Sequence, residues 1–171
     1  MKTNNFNIPE NSILNSFSRK YNYVDSYSGY IRSNFYSIED IGKAFFTSAP
    51  TWVDKLFEFR NKLVSFWGLK TSGNVSNRSQ LLQDFRCEPG EQLGLFKVYS
   101  KTPHEVIFGQ DDKHLDFRVS LLKTDNNILY LTTVVQFHNW FGKFYFIPVK
   151  FFHKLISPIM LKSIINKLEI N

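Results

Sequence analysis

At 171 residues the chain has the length of one domain, because a core of that size already buries roughly 70% of the surface exposed by the unfolded form. A hydrophobic fraction of 43%, with 18 Phe, 8 Tyr and 3 Trp, excludes disorder over most of the length. The net charge of +6, from 21 Lys and Arg against 15 Asp and Glu, is spread without a run of like charges or a recognisable basic and aromatic module, which argues against a nucleic-acid partner.

Residues 1–20 are rich in Asn and Ser and read as an N-terminal tether, with a short apolar turn at Ile13, Leu14 and Phe17. Residues 21–171 form the single domain. Tyr21, Tyr23, Tyr27 and Tyr30 stand among β-favouring neighbours and predict a first strand, with Gly29 at a possible bulge position. Ser37, followed by Ile38, Glu39 and Asp40, predicts a capped helix that ends near Ser48, its hydroxyl accepting free amides and its acids facing the positive helix end. Pro50 then opens a second helix, on which Trp52, Val53, Leu56, Phe59, Leu63 and Val64 recur at spacings of three and four.

Residues 70–92 hold Thr, Ser, Gly and Asn in quantity and predict a long loop. Four strands follow, at about 93–100, 103–109, 113–123 and 127–138, with the clearest hairpin at Asp125, Asn126 and Asn127. In the third, Leu115, Phe117, Val119 and Leu121 alternate with His114, Asp116, Arg118 and Ser120, so one face is apolar and the other chemically rich. From Phe141 the pattern turns helical. Tyr145, Pro148, Phe152, Leu155, Ile156 and Ile159 share one side, predicted to face the core, while Lys143, Lys150, Lys154 and Ser157 share the other. Beyond Met160 the stripe changes phase, which predicts a kink near Pro158.

The polar residues Asp112, His114, Asp116, Arg118 and Ser120 combine carboxylates, an imidazole and a guanidinium on one strand face, the chemistry of acid and base work or of gripping a headgroup. Pairing among surface charges explains the same pattern more simply. His114 with Asp112 or Asp116, and His138 from the next strand, supply plausible metal ligands, but lone strand histidines are usually hydrogen-bonded surface residues, and no metal or other cofactor is expected. Cys87 is the only cysteine, which excludes an intrachain disulfide and a multi-cysteine metal cluster and suits a buried, incidental thiol. No glycine-rich phosphate loop is present.

The polar N-terminal stretch broken by Pro9 lacks the apolar run of a secretory signal. Later apolar runs are short and interrupted by charge, so no integral membrane segment is expected. Both expectations, with the single cysteine, point to the cytoplasm.

Several runs resemble an uncharacterised bacterial family, domain of unknown function 2867. They are Phe45 to Trp52, Arg60 to Val64 with Gly68 to Lys70, Gly109 to Ser120, and Thr133 to Val135, within a span of about 37–165. The element order is also similar to that of the helix-grip fold of START-like (SRPBCC-type) proteins. This implies an α+β domain in which a curved antiparallel sheet wraps around a long C-terminal helix, with a helix pair after the first strand.

By the same likeness, a small apolar or amphipathic molecule is expected in a cavity between sheet and helix. Its walls would include Trp52, Tyr130 and Phe152, and its polar handles Asp112, His114, Asp116 and Arg118. Two alternatives stand beside this expectation. One is an enzyme using His114 with Asp112 or Asp116. The other is a membrane-surface or partner-binding module built on the basic terminal helix, with Lys150, Lys154, Lys162 and Lys167.

Overall fold

The computed structural model describes residues 2–5, 7–17, 20–33, 35–49 and 82–170. The second helix expected from Pro50, Trp52 with it, and most of the long loop lie outside the described residues.

Among the described residues, seven strands form one antiparallel sheet: β1 (Lys2–Asn5), β2 (Tyr23–Tyr30), β3 (Gln92–Leu93), β4 (Phe96–Lys101), β5 (Glu105–Asp111), β6 (Leu115–Lys123) and β7 (Ile128–Phe137). Their order is β1-β2-β7-β6-β5-β4-β3, so the sheet is open, with β1 and β3 at its edges. Helix α1 (Ile38–Thr47) follows β2, and the 31-residue helix α2 (Trp140–Ile170) closes the chain. The architecture is α+β and consistent with a helix grip.

Local chemistry accounts for the boundaries. Ser37 and Asp40 cap α1 reciprocally: Ser37 Oγ accepts from the Asp40 N–H at 3.1 Å, and Asp40 Oδ2 accepts from the Ser37 N–H at 3.1 Å. The β6–β7 hairpin turns through Thr124 to Asn127, where Asn127 takes the left-handed conformation at φ 58°. Asn139 caps α2, its Oδ1 accepting from the Gly142 N–H at 3.0 Å.

Directly paired strand residues share a sheet face, so the register separates two surfaces. On the inner face lie Tyr23, Asp25 and Tyr27 of β2, Val106 and Phe108 of β5, Val119 and Leu121 of β6, and Leu129, Leu131 and Val135 of β7. Helix α1 covers this face with Ile38, Ile41, Phe45 and Phe46. Helix α2 covers it with Met160, Leu161, Ile164 and Leu168. Phe45 and Phe46 meet Phe85, Phe96 and Phe108 in stacked and edge-on contacts. Cys87 is fully buried beside Gly42, and burial pushes its thiol up to about 12, which suits a packing thiol and not a nucleophile.

The outer face is covered by the N-terminal stretch read from the sequence as a tether. Leu14 is fully buried against Ile107 and Val134, and Ile8, Ile13 and Phe17 pack around it. Residues 2–5 add the edge strand β1. This segment is therefore a layer of the domain.

Helix α2 also differs from its expectation. Its buried face runs through Gly142, Phe146, Ser157, Met160, Leu161, Ile164 and Leu168, with Val149 and His153 half-buried on the same side. Steps of three and four carry this face unbroken past Pro148 and Pro158. The side expected to be core is largely outside: Pro148, Phe152, Leu155 and Ile159 are exposed, and Ser157 from the supposed polar side is buried. The physical reason is that the first five turns are apolar almost all round. Periodicity then selects the denser stripe, whereas the sheet takes the stripe that permits close approach.

Gly142 fixes that approach, since a side chain there would collide with the His114 carbonyl. Ala is favoured over Gly by about 1 kcal/mol in a helix on propensity alone. Gly142→Ala should nevertheless destabilise the fold, by about 1–3 kcal/mol as an overpacked site. A stabilised variant in urea unfolding would contradict this packing.

Candidate functional site

The chemically rich face of β6 turns away from α2. Asp116, Arg118 and Ser120 pair across the sheet with Gln136, Val134 and Thr132 of β7 and lie on the outer face. Arg118 is 2% exposed. Its Nη2 donates to Asp111 Oδ1 at 2.6 Å, its Nη1 to the Phe117 carbonyl at 2.8 Å, and its guanidinium lies 3.5 Å over the Tyr99 ring. A bulge between Val98 and Ser100 accompanies the placement of Tyr99 there.

Asp116 Oδ1 meets His138 Nε2 at 2.9 Å and accepts from the Asp112 N–H at 3.2 Å. Ser120 donates to Glu105, which also accepts from Ser12 Oγ and the Ile13 N–H, both at 2.6 Å. These polar groups fasten the N-terminal layer and neighbouring strands; each buried charge has its partner.

His114 stands before β6, where its ring packs 4.7 Å from Phe141 and its Nδ1 meets the Asn139 side-chain amide, 3.0 Å from Nδ2 and 3.3 Å from Oδ1. It helps to seat the start of α2. Asp112 lies in the same turn, Tyr130 is half-buried on the outer face, and Phe152 is exposed on α2. The expected set thus spreads over the outer face, the β5–β6 turn and the exposed side of α2, and is not gathered between sheet and helix. Trp52 lies outside the described residues.

The polar convergence between sheet and helix consists of residues that sequence reasoning passed over. Asp25, 1% exposed on the inner face of β2, accepts from the Tyr23 hydroxyl at 2.7 Å and meets His153 Nδ1 at 3.0 Å. Ser157, one turn along α2, lies 3.1 Å from the same Nδ1 and 3.4 Å from Nε2. Burial, then the hydrogen bond to Asp25, pushes the Tyr23 phenol well above its usual range, so it stays a neutral donor. A serine nucleophile needs the imidazole nitrogen opposite the one that the carboxylate holds. Here the serine lies nearer to the nitrogen that the carboxylate already holds than to the opposite one, the geometry of a structural clip.

The signal for it was available in part. Asp25 alternates with Tyr23 and Tyr27 at period two, and His153 and Ser157 stand four apart.

The outward side of α2 carries the other unusual feature. Trp140, Phe144, Ile147, Phe151, Leu155 and Ile159, spaced by four, three, four, four and four, are between 40% and 78% exposed. They form a continuous apolar stripe opposite the buried face. Lys143, Lys150 and Lys154, spaced by seven and four, run along one flank, and Glu169 is the only acid in the helix. By length and composition α2 is apolar enough to cross a membrane, and 22% of its most apolar stretch is buried.

On the lysine flank, a groove of about 290 Å³ opens between α2 and the start of β2, lined by Tyr21, Asn22, Tyr23, Val24 and Lys150. Lys150 Nζ lies 5.4 Å over the Tyr23 ring. Among the described residues, no group of three or more His, Cys, Asp and Glu converges as a metal site.

A family model described as protein of unknown function (DUF2867) matches residues 17–160. The chain belongs to this family. No curated protein and no solved structure matches it. In this DUF2867 domain the match runs from the end of the N-terminal layer to Met160, two-thirds of the way along α2.

The clip and the stripe predict opposite responses on one helix. His153→Ala should cost about 1–3 kcal/mol, because Asp25 loses a buried partner. Phe144→Ala should change stability by no more than about 0.5 kcal/mol, as expected at an exposed site. Equal losses in urea unfolding would show that the helix faces are assigned wrongly.

Proposed function

We propose that this DUF2867 protein associates with anionic membrane surfaces through α2, which lies in the plane of the interface. The observation that carries this reading is the exposed apolar stripe from Trp140 to Ile159 with its lysine flank. An interfacial helix presents apolar side chains to the acyl boundary and lysines to the headgroups. Trp140, at the first turn, is the residue type enriched at that boundary.

Lying on the membrane is favoured over spanning it. The opposite face of α2 holds His153 and Ser157 against Asp25 on the sheet, and spanning would strip these polar groups of their partners inside hydrocarbon. The small amphipathic molecule expected from the fold likeness becomes, in this reading, a lipid met at the helix surface. Cytoplasmic leaflets carry the anionic lipids that the lysine row would favour, which agrees with a cytoplasmic protein.

Co-sedimentation with vesicles tests the proposal. The protein should pellet with phosphatidylglycerol-containing vesicles at low salt, less so at high salt, and weakly with phosphatidylcholine alone. Phe144→Glu and Phe151→Glu should abolish pelleting while leaving the fold intact, since both side chains are exposed. Replacing Lys143 and Lys154 together by Gln should weaken binding by about 2 kcal/mol, roughly thirtyfold. Wild-type protein that stays in the supernatant at low salt would remove the reading.

A further inference from the structure

We infer that the groove between β2 and α2 is a seat for the phosphate of a membrane lipid, held by the Lys150 ammonium and the Asn22 side-chain amide. This rests on the membrane-surface reading and gives it a specific headgroup contact.

The groove's chemistry is one-sided. Lys150 brings a full positive charge and three donor hydrogens. Asn22 Oδ1 accepts from the Phe137 N–H at 2.7 Å, which settles the orientation of the amide and leaves Nδ2 as the group able to donate. Among the described residues lining the groove there is no carboxylate. The adjacent acid, Asp25, is 1% exposed and committed to Tyr23 and His153 on the inner face. A small anion therefore meets donors and aromatic wall without a competing negative charge.

Accessibility and position agree with this. Asn22 and Lys150 are both exposed, so an anion reaches them without opening the core. The two edge partnerships of β1 fall at Ser26 and Ser28, beyond the groove-lining part of β2. Lys150 is also the middle lysine of the row beside the apolar stripe, and Phe151 is its chain neighbour. A lipid whose chains lie along the stripe has its phosphate at the level of this flank. The shared chemistry is a phosphate group, and the stripe beside the groove assigns it to a lipid in preference to free phosphate.

The test uses the full chain, amide and side-chain NMR shifts, and three probes: dihexanoyl phosphatidic acid below its micelle concentration, dihexanoyl glycerol, and inorganic phosphate. The phosphatidic acid should shift the signals of Asn22 and of residues around Lys150, inorganic phosphate should do so about tenfold more weakly or worse, and the glycerol should not. Asn22→Asp keeps the acceptor for Phe137 while replacing the donor by a negative oxygen, and Lys150→Gln removes the charge. Each should weaken phosphatidic acid binding by about tenfold. Lys97→Gln, exposed on β4 four strands from β2, should leave it unchanged.

Unchanged affinity in both Asn22→Asp and Lys150→Gln overturns the seat. Inorganic phosphate binding as tightly as the lipid overturns its assignment to a lipid. Vesicle pelleting separates the two proposals. A protein that pellets normally, yet shows no shift at Asn22 with phosphatidic acid, loses the seat and keeps the surface. One that fails to pellet, yet takes phosphatidic acid in the groove, keeps the seat and loses the surface.

Discussion

A helix can commit only one of its sides to a sheet, and in this protein that commitment is made by the side that looks less suited to it. Gly142 lets the α2 backbone come down on the His114 carbonyl, and Asp25 holds His153 three turns further along. From there Ser157, Met160, Leu161, Ile164 and Leu168 follow in phase to the end of the helix. Once these contacts set the rotation of α2, the positions of the exposed stripe, the lysine row and the groove follow from helical geometry.

The outer face of the sheet obeys a related constraint. Glu105 and Arg118 are almost completely buried, and a buried charge is tolerable only with hydrogen-bonding partners. Glu105 draws its partners from Ser120 beside it and from Ser12 and Ile13 in the N-terminal segment. The segment around Leu14 is thus bound to the sheet by carboxylate chemistry as well as by apolar packing against Ile107 and Val134. With that layer in place, the polar row on β6 is engaged with the N-terminal segment and with neighbouring strands. His114 goes to Asn139, and Asp116 to His138.

What could be read from the residues alone follows a simple physical division. Features encoded locally were legible: the Ser37 cap, the hairpin at Asn127, and the alternation that makes β6 a strand with two unlike faces. Features that depend on which surface meets which were not. The alternation of Leu115 to Leu121 against Asp116 to Ser120 is the same whether the polar side meets a helix, a segment or water. The short strand Lys2–Asn5 has too few β-favouring residues to stand out, and exists by pairing with β2. On α2, apolar residues on nearly every side of the first five turns left periodicity without a unique answer. Asp25 was hidden for a related reason: an acid between tyrosines declares a partner only when a distant helix supplies His153.

The composition of α2 also bears on what lies outside it. In a helix packed on its own domain in water, polar side chains turn outward and apolar ones inward. The first five turns here run the other way in part, with His153 and Ser157 turned in and Phe144, Ile147, Phe151 and Leu155 turned out. Each outward side chain forgoes part of the roughly 1.5–3 kcal/mol that full burial would bring. Scattered apolar residues at a surface need no explanation, but six in register along one helix face form a contiguous patch of the kind that marks an interaction surface. The flank adds direction to that inference. A patch for an apolar protein partner has no need of lysines at 143, 150 and 154 in an otherwise acid-free stretch, whereas an interface that is apolar at its centre and anionic at its margin requires both. The inverted helix and its one-sided charge together favour a lipid surface over a second protein.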